Sequence, residues 1–304
     1  MTSHPDYTPP QSLAKRMAAP AKLDCGRFQL SLERPLLMGI VNVTSDSFSG
    51  DGLAGDPRRA VAHGLRLVAE GADLLDVGAE SSRPGAVPVT EVEELRRLIP
   101  VIEGLSGCGV PLSVDTLKPG VMHAVLAAGA DMINDIAALT APGALEAVAK
   151  ASAAVCLMHM QGSPRTMQQQ PGYGDVVAEV RAFLAARVRE AERAGIDSGR
   201  IVLDPGFGFG KRIEHNIALF RSLDRILDLG YPLLVGVSRK SMLGDITGRP
   251  VAGRIHASVA AALLAAQRGA HILRVHDVAA TRDALAVWRA LGGVEDHPGI
   301  IDKP

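Results

Sequence analysis

From Leu36 onward the chain repeats one pattern eight times: a short apolar run, a polar cluster, then a helical segment. The runs are LLMGIVNV (36–43), LLDVG (74–78), LSVD (112–115), MIND (132–135), AVCLMHM (154–160), IVLD (201–204), LLVGV (233–237) and ILRVH (272–276). They are nearly continuous rather than alternating, as strands buried on both faces must be. Between them lie amphipathic helices. One opens on Asp56-Pro57, with Val61, Leu65 and Val68 at helical spacing; another carries Val177, Val180, Leu184 and Val188. The last carries Ala280, Ala284, Val287 and Leu291 before Gly292. Three stretches, EGADLLDVG, AGADMINDI and RGAHILRVH, repeat the same passage from helix end through Gly-Ala into strand. A glycine there fits the left-handed position that ends a helix. Eight strands alternating with eight helices in about 255 residues match a single-domain α/β (β/α)8 TIM barrel in count and size. A doubly wound open sheet is the alternative, but no dinucleotide fingerprint follows the first strand.

The barrel is expected over 27–292, after a loosely ordered extension (1–26, rich in Pro and small residues) and before a tail (293–304). Within the first part, RFQLSLERP reads as a short hairpin or ribbon. A formal net charge of -1 gives no electrostatic case for nucleic acid or an anionic membrane. The three cysteines, Cys25, Cys108 and Cys156, are widely spaced, which suits a reducing compartment. No apolar run reaches the length of a membrane span, and the start MTSHPDYTPP lacks a secretion signal. A soluble cytoplasmic protein is expected.

In such barrels the chemistry sits at the C-terminal ends of the strands. Each strand here runs into polar residues: Asn42, then Asp76 with Ser81-Ser82-Arg83, Asp115, Asn134-Asp135, His159, Asp204, Ser238-Arg239-Lys240, and Arg274 with His276. Closure sets the eighth strand beside the first. Arg274 and His276 then join Asn42 as two donors and an amide able to meet a metal or a phosphate oxygen, an anion subsite. Asp115, Asn134, Asp204 and Lys240 line the other side. That set suits a flat heterocycle with an amidine-like edge, where a carboxylate accepts two N–H groups and a lysine or amide donates to a ring carbonyl.

The run IVLDPGFGFGK (201–211) looks at first like a phosphate loop. It fails both templates: Pro205 stands where a P-loop needs its first glycine, and Lys211 where the dinucleotide fingerprint needs its third. It reads instead as the sixth strand, delivering Asp204, followed by a tight turn that presents Phe209.

Taken together, MGIVNVTSDSFS, DVGAESSRPGA, VDTLKPGV, INDI, PGALEA, VCLMHMQGSPRTMQ, LDPGFGFGK, LLVGVSRKSMLG and GAHILRVHDV resemble the dihydropteroate synthases of folate biosynthesis, in order across roughly 36–280. The resemblance implies condensation of a dihydropterin hydroxymethyl diphosphate with 4-aminobenzoate, giving 7,8-dihydropteroate and diphosphate, with Mg2+ and a homodimer. It implies that Asn42 holds the metal, that Arg274 and His276, with Asn42 and Ser82, hold the diphosphate, and that Asp115, Asn134, Met158, Asp204 and Lys240 hold the pterin. Ser82, Arg83, Phe209, Ser238 and Lys240 fall to the aminobenzoate side, and Asp115, Arg274, His276 and Lys240 to catalysis. Bond cleavage would leave negative charge on diphosphate and a cation delocalised into the dihydropterin; preorganised charges opposing such a pair contribute about 3–4 kcal/mol per group. Ser82, Ala79 and Ser45 depart from the usual Thr, Gly and Pro, and none of these changes removes a charge.

Other readings stand beside these. Asp76 orients Arg274, satisfies the barrel interior or touches substrate. His159 reads as a packed, hydrogen-bonded histidine and Asp135 as a helix cap on the opposite strand face. Lys240 reads as a charge-paired donor rather than a Schiff-base lysine. Lys211 and Arg212 read as solvated loop residues, and TSDSFSGDG as a lid. A pterin-binding methyltransferase of the methyltetrahydrofolate type should lack the Arg274-His276 pair and the SSRPGA loop. A non-catalytic pterin-binding paralogue would keep the contacts without turnover.

Overall fold

The computed structural model describes residues 20–43, 56–80 and 88–292. The strands are β1 (Lys22–Cys25), β2 (Phe28–Ser31), β3 (Leu36–Asn42), β4 (Leu74–Gly78), β5 (Leu112–Asp115), β6 (Met132–Asp135), β7 (Ala154–Met158), β8 (Ile201–Asp204), β9 (Leu234–Val235) and β10 (Ile272–Val275). The helices are α1 (Pro57–Ala69), α2 (Glu91–Leu105), α3 (Pro119–Ala127), α4 (Ala144–Ala149), α5 (Val176–Arg193), α6 (Ile213–Arg221), α7 (Leu223–Leu227), α8 (Ser241–Thr247), α9 (Ile255–Gln267) and α10 (Val278–Leu291). Strands β3 to β10 form one parallel sheet in the order β8-β7-β6-β5-β4-β3-β10-β9. A parallel bridge between Leu203 and Leu233 joins its two ends, so the sheet closes into a (β/α)8 barrel. Two connections carry paired helices, α6 with α7 and α8 with α9, where the sequence reading expected one each.

The apolar runs look continuous because both faces of each strand are buried, yet the two faces do different things. Leu37, Leu75, Val77, Leu112, Val114, Ile133, Val155, Leu157, Ile201 and Leu203 point outward into the layer shared with the helices. Residues one step along, including Leu36, Met38, Leu74, Met132, Ala154, Cys156, Val202, Leu234 and Ile272, fill the barrel interior. Period two carries that inner row upward to the mouth. Leu74 leads to Asp76, Ser113 to Asp115, Met132 to Asn134, Val202 to Asp204, and Ile272 to Arg274. An apolar floor and a polar rim thus come from single strands.

The floor has a plug. Strands β1 and β2 form an antiparallel hairpin, and Leu23 and Cys25 join the interior cluster fully buried. This corrects the expectation that 1–26 is a loose extension and 27–292 the barrel: the ordered unit takes in Lys22–Cys25, because period two gives that short stretch a buried face. Residues 1–19 and the tail 293–304 lie outside the described residues. Leu23→Ala is expected to cost about 2–5 kcal/mol, the range for emptying a packed leucine site. Urea denaturation checks it; an unchanged midpoint would mean the hairpin is peripheral.

The three Gly-Ala turns behave as expected, with Gly71, Gly129 and Gly269 at φ +101°, +105° and +91°. The helix faces were less legible. In α5, Val180, Leu184 and Val188 are buried as expected, joined by Val176 rather than Val177. In α1 the buried stripe is Ala60, Gly64 and Leu67, while Leu65 is 47% exposed. Small residues let this helix lie close to its neighbours: a Cβ on Gly64 would sit 3.0 Å from Leu105. In α10 the buried residues are Val278, Thr281 and Leu285, and Val287 and Leu291 face outward.

Candidate active site

Asp76 is the hub of the rim. It is fully buried at the middle of β4, and its Oδ1 accepts from the Ser113 hydroxyl at 2.6 Å. Its Oδ2 accepts from Arg274 Nε at 2.6 Å and from Asn134 Nδ2 at 3.2 Å. Of the readings left open for Asp76, orienting Arg274 and satisfying the barrel interior both have bonds behind them. The Arg274 guanidinium reaches further, Nη2 donating to Asp115 Oδ2 at 3.3 Å. Burial, with Asp76 as a neighbour, raises the Asp115 carboxyl above the ordinary range, and Arg274 pulls the other way.

Asn134 lies opposite Asp115 in the β5–β6 register. Its Nδ2 is engaged with Asp76, but its buried Oδ1 has no hydrogen-bond partner among the described residues. An unsatisfied buried acceptor costs about 1–3 kcal/mol, so it calls for a donor from outside. Across the mouth Asp204 pairs in register with Met158, and its Oδ1 accepts from Gly206 N–H at 2.7 Å. Burial raises its carboxyl, opposed chiefly by Lys240. Lys240 donates to the Phe207 carbonyl and stands 4.7 Å from the Phe209 ring centre. Burial draws its ammonium down to about 8, with Asp204 holding it up.

On the opposite side His276 Nδ1 shares a hydrogen bond with Ser238 Oγ at 2.9 Å, and Ser238 also accepts from the His276 N–H at 3.3 Å. Ser238 therefore serves His276, a partnership the strand spacing did not reveal. Asn42 ends β3, half-buried, with β10 hydrogen-bonded alongside. Ser82 and Arg83 lie outside the described residues, as do Ser45 and the whole of TSDSFSGDG; Ala79 is fully buried.

Several secondary readings resolve. His159 is buried, edge-on to Phe183 at 5.0 Å, and pushed down to about 3 by burial and by Lys211. Asp135 does lie on the outer face, but it caps a loop rather than a helix, accepting from Ala137 and Leu139 N–H at 2.7 Å each. That turn holds Ala138 and Leu139 at φ +52° and +56°, further secured by Arg187 on their carbonyls. Arg239 turns away from the rim and pairs with Asp277 at 2.7 Å. Lys211 is the clear miss: it is 2% exposed rather than solvated. Sequence reasoning also passed over Lys118, which pairs with Glu80 and with the fully buried Glu94 beside Asp115. Its signal was available in VDTLKP, three residues beyond the aspartate.

The rim thus offers acceptors on one wall (Asp204, Asn134 Oδ1), a carboxylate-held guanidinium in the middle, and a histidine on the other wall. It can grip a flat N–H-bearing ring and a neighbouring anion. Comparison with known proteins agrees. The family described as pterin binding enzyme matches residues 38–276. Dihydropteroate synthase of Neisseria meningitidis serogroup B is 53% identical over 274 residues, covering 88% of this chain and 96% of the relative. The solved structure of Xanthomonas albilineans dihydropteroate synthase with 4-aminobenzoic acid is 56% identical with a TM-score of 0.83, covering 90% of this chain and 99% of that one. The crystal structure of the Burkholderia cenocepacia dihydropteroate synthase with 7,8-dihydropteroate is 53% identical with a TM-score of 0.81, covering 90% and 97%. The chain belongs to the dihydropteroate synthase family of pterin-binding enzymes.

Proposed function

We propose that the barrel mouth condenses (7,8-dihydropterin-6-yl)methyl diphosphate with 4-aminobenzoate, giving 7,8-dihydropteroate and diphosphate. The observation that carries the pterin assignment is the buried Asn134 Oδ1, partnerless among the described residues and facing the same mouth as Asp204. A pterin's amino and ring N–H groups satisfy both acceptors, and Lys240 donates to its ring oxygen, with Met158 packing beneath. The ligands named for the X. albilineans and B. cenocepacia structures, 4-aminobenzoic acid and 7,8-dihydropteroate, match this reading.

In the reaction the methylene–oxygen bond breaks and its electron pair leaves with the diphosphate. Positive charge spreads into the dihydropterin, and the Asp115 carboxylate is assigned to oppose it. Arg274 and His276 take the leaving diphosphate. The aniline nitrogen then forms the new C–N bond and releases its proton to solvent, so no residue need act as a strong base. Phe209 and Ser238, with Ser82 and Arg83, are assigned to the aminobenzoate.

A Mg2+ fits this donor set. The ion commonly binds through one or two carboxylates together with substrate phosphates; here the Asn42 amide oxygen, at the half-buried end of β3, is assigned as its protein ligand. Bound there, it would add positive charge to the leaving group. Homodimerisation belongs to the same reading, supported by exposed Leu264 on α9 and Val287 and Leu291 on the adjoining α10. A cytoplasmic setting is supported by three free cysteine thiols. Among the described residues no helix is long and apolar enough to cross a membrane.

The assignment is tested by product: purified protein with both substrates and Mg2+ should form 7,8-dihydropteroate, detected by mass. Absence of that product would sink it. The pH profile gives a second check. Lys240 loses its charge as pH rises through about 8, so kcat/KM for the pterin substrate should fall above that pH. Lys240→Arg, which does not titrate in this range, should lower the plateau yet extend it upward; an unmoved alkaline limb would assign the limb to another group.

A further inference from the structure

The FGFGK segment ends in a lysine that the reaction leaves unused. Lys211 Nζ meets Gly206 O at 2.9 Å, Phe209 O at 3.0 Å, His159 O at 3.3 Å and His159 Nδ1 at 3.0 Å. All four are acceptor atoms when His159 is its Nε2–H tautomer, and the ammonium brings three N–H groups to them where the neutral amine would bring two, one N–H being shared between the His159 atoms. Burial draws that ammonium down to about 7, against the attraction of Asp204. The cation is enclosed by the backbone that it organises.

The backbone in question is wound tightly. Gly206 and Gly210 adopt φ +70° and +61°, and a Cβ at either would strike the chain of β7's extension, 1.9 Å from His159 O and 2.6 Å from Gln161 O. Phe207 turns into the core, fully buried and 5.7 Å from Phe220. Its carbonyl faces the mouth and accepts from Lys240, while the Phe209 ring turns to the same lysine. Further ties come from Asn216 Oδ1 to Gly208 N–H at 2.8 Å and from the Tyr173 hydroxyl to Gly210 O at 2.8 Å. Among the described residues, Lys211 is the one that grips the carbonyls of Gly206, Phe209 and His159 together.

We propose that Lys211 is a positioning residue: its ammonium winds residues 206–210 into the wall that aims Phe209 into the mouth, and thereby sets the affinity for 4-aminobenzoate. This rests on the reading that Phe209 flanks the aminobenzoate. The pterin acceptors Asp204 and Asn134 stand on strands instead, and Asp204 meets the segment through the Gly206 N–H. Lys211 therefore acts mainly on the aminobenzoate and much less on the pterin.

The test is a split between the two substrates. Lys211→Met should raise KM for 4-aminobenzoate at least about ten-fold. Its Kd for the pterin diphosphate, titrated without aminobenzoate, should stay within about three-fold of wild type. An unchanged KM, or an equal loss for both substrates, overturns the proposal. In a Phe209→Ala background the same substitution should add less than about two-fold; a full additional ten-fold would show that Lys211 acts elsewhere. Should Lys211→Met fail to fold, Tyr173→Phe loosens the same segment more gently and should raise that KM about two- to four-fold, with no change counting against the idea. Wild type is assayed alongside. A wild type that turns over beside a Lys211→Met variant with unaltered KM removes this inference alone, whereas an inactive wild type removes the reaction reading.

Discussion

Replacing Arg274 with lysine is expected to lower kcat by about 10²- to 10³-fold, the loss seen when one preorganised charge contact is taken from a transition state. Lysine keeps the charge but loses the planar fork. Arg274 uses that fork to span Asp76 at 2.6 Å and Asp115 at 3.3 Å. A single ammonium cannot bridge both carboxylates and also face a leaving diphosphate. Stopped-flow or steady-state turnover checks the effect, with circular dichroism confirming the fold. If Arg274→Lys kept wild-type kcat, the guanidinium would be a structural strut between two acids and the diphosphate would be held elsewhere.

The second large effect falls on binding. Asp204→Asn should weaken the pterin diphosphate about 10²-fold or more, since hydrogen bonds to a charged group contribute about 1.5–3 kcal/mol each and the carboxylate is proposed to accept two. Stability should change far less. Asparagine has the same shape, and its Oδ1 can keep the 2.7 Å bond from Gly206 N–H. Burial already opposes ionisation of Asp204, so the neutral side chain also removes a desolvation cost. Calorimetric titration and urea denaturation on the same sample separate the two quantities. Unchanged affinity would refute the assignment of Asp204 to the pterin.

The strand ends were legible because one physical rule governs them. A strand buried on both faces carries polar side chains mainly where it leaves the core, so Asp115, Asn134, Asp204 and Arg274 stand out at the ends of apolar runs. Period two separates Asn134 from Asp135 on the sequence alone. The helix faces were harder. A search for large apolar residues picked out Leu65 and Leu291, whereas Ala60, Gly64 and Thr281 make the close contacts. Long-range partnerships left almost no trace in the sequence. Nothing local joins Asp76 to a guanidinium 198 residues away, or Lys211 to a histidine 52 residues earlier. A lysine after a glycine run is usually solvated, and this one is buried because the run folds its carbonyls around it. RFQLSLERP does hold one strand of the hairpin, β2, but the other, β1, escaped for a related reason: four residues with two buried positions are too short for periodicity to register.

The central claim is that this mouth holds a diphosphate ester until an aniline is present to take the dihydropterin cation. The measurement that reaches it most directly is diphosphate release from the pterin substrate with Mg2+, followed with and without 4-aminobenzoate. The account predicts fast release, stoichiometric with dihydropteroate, only when 4-aminobenzoate is added. Binding of the pterin without release under either condition would contradict it and mark the chain as a pterin-binding paralogue.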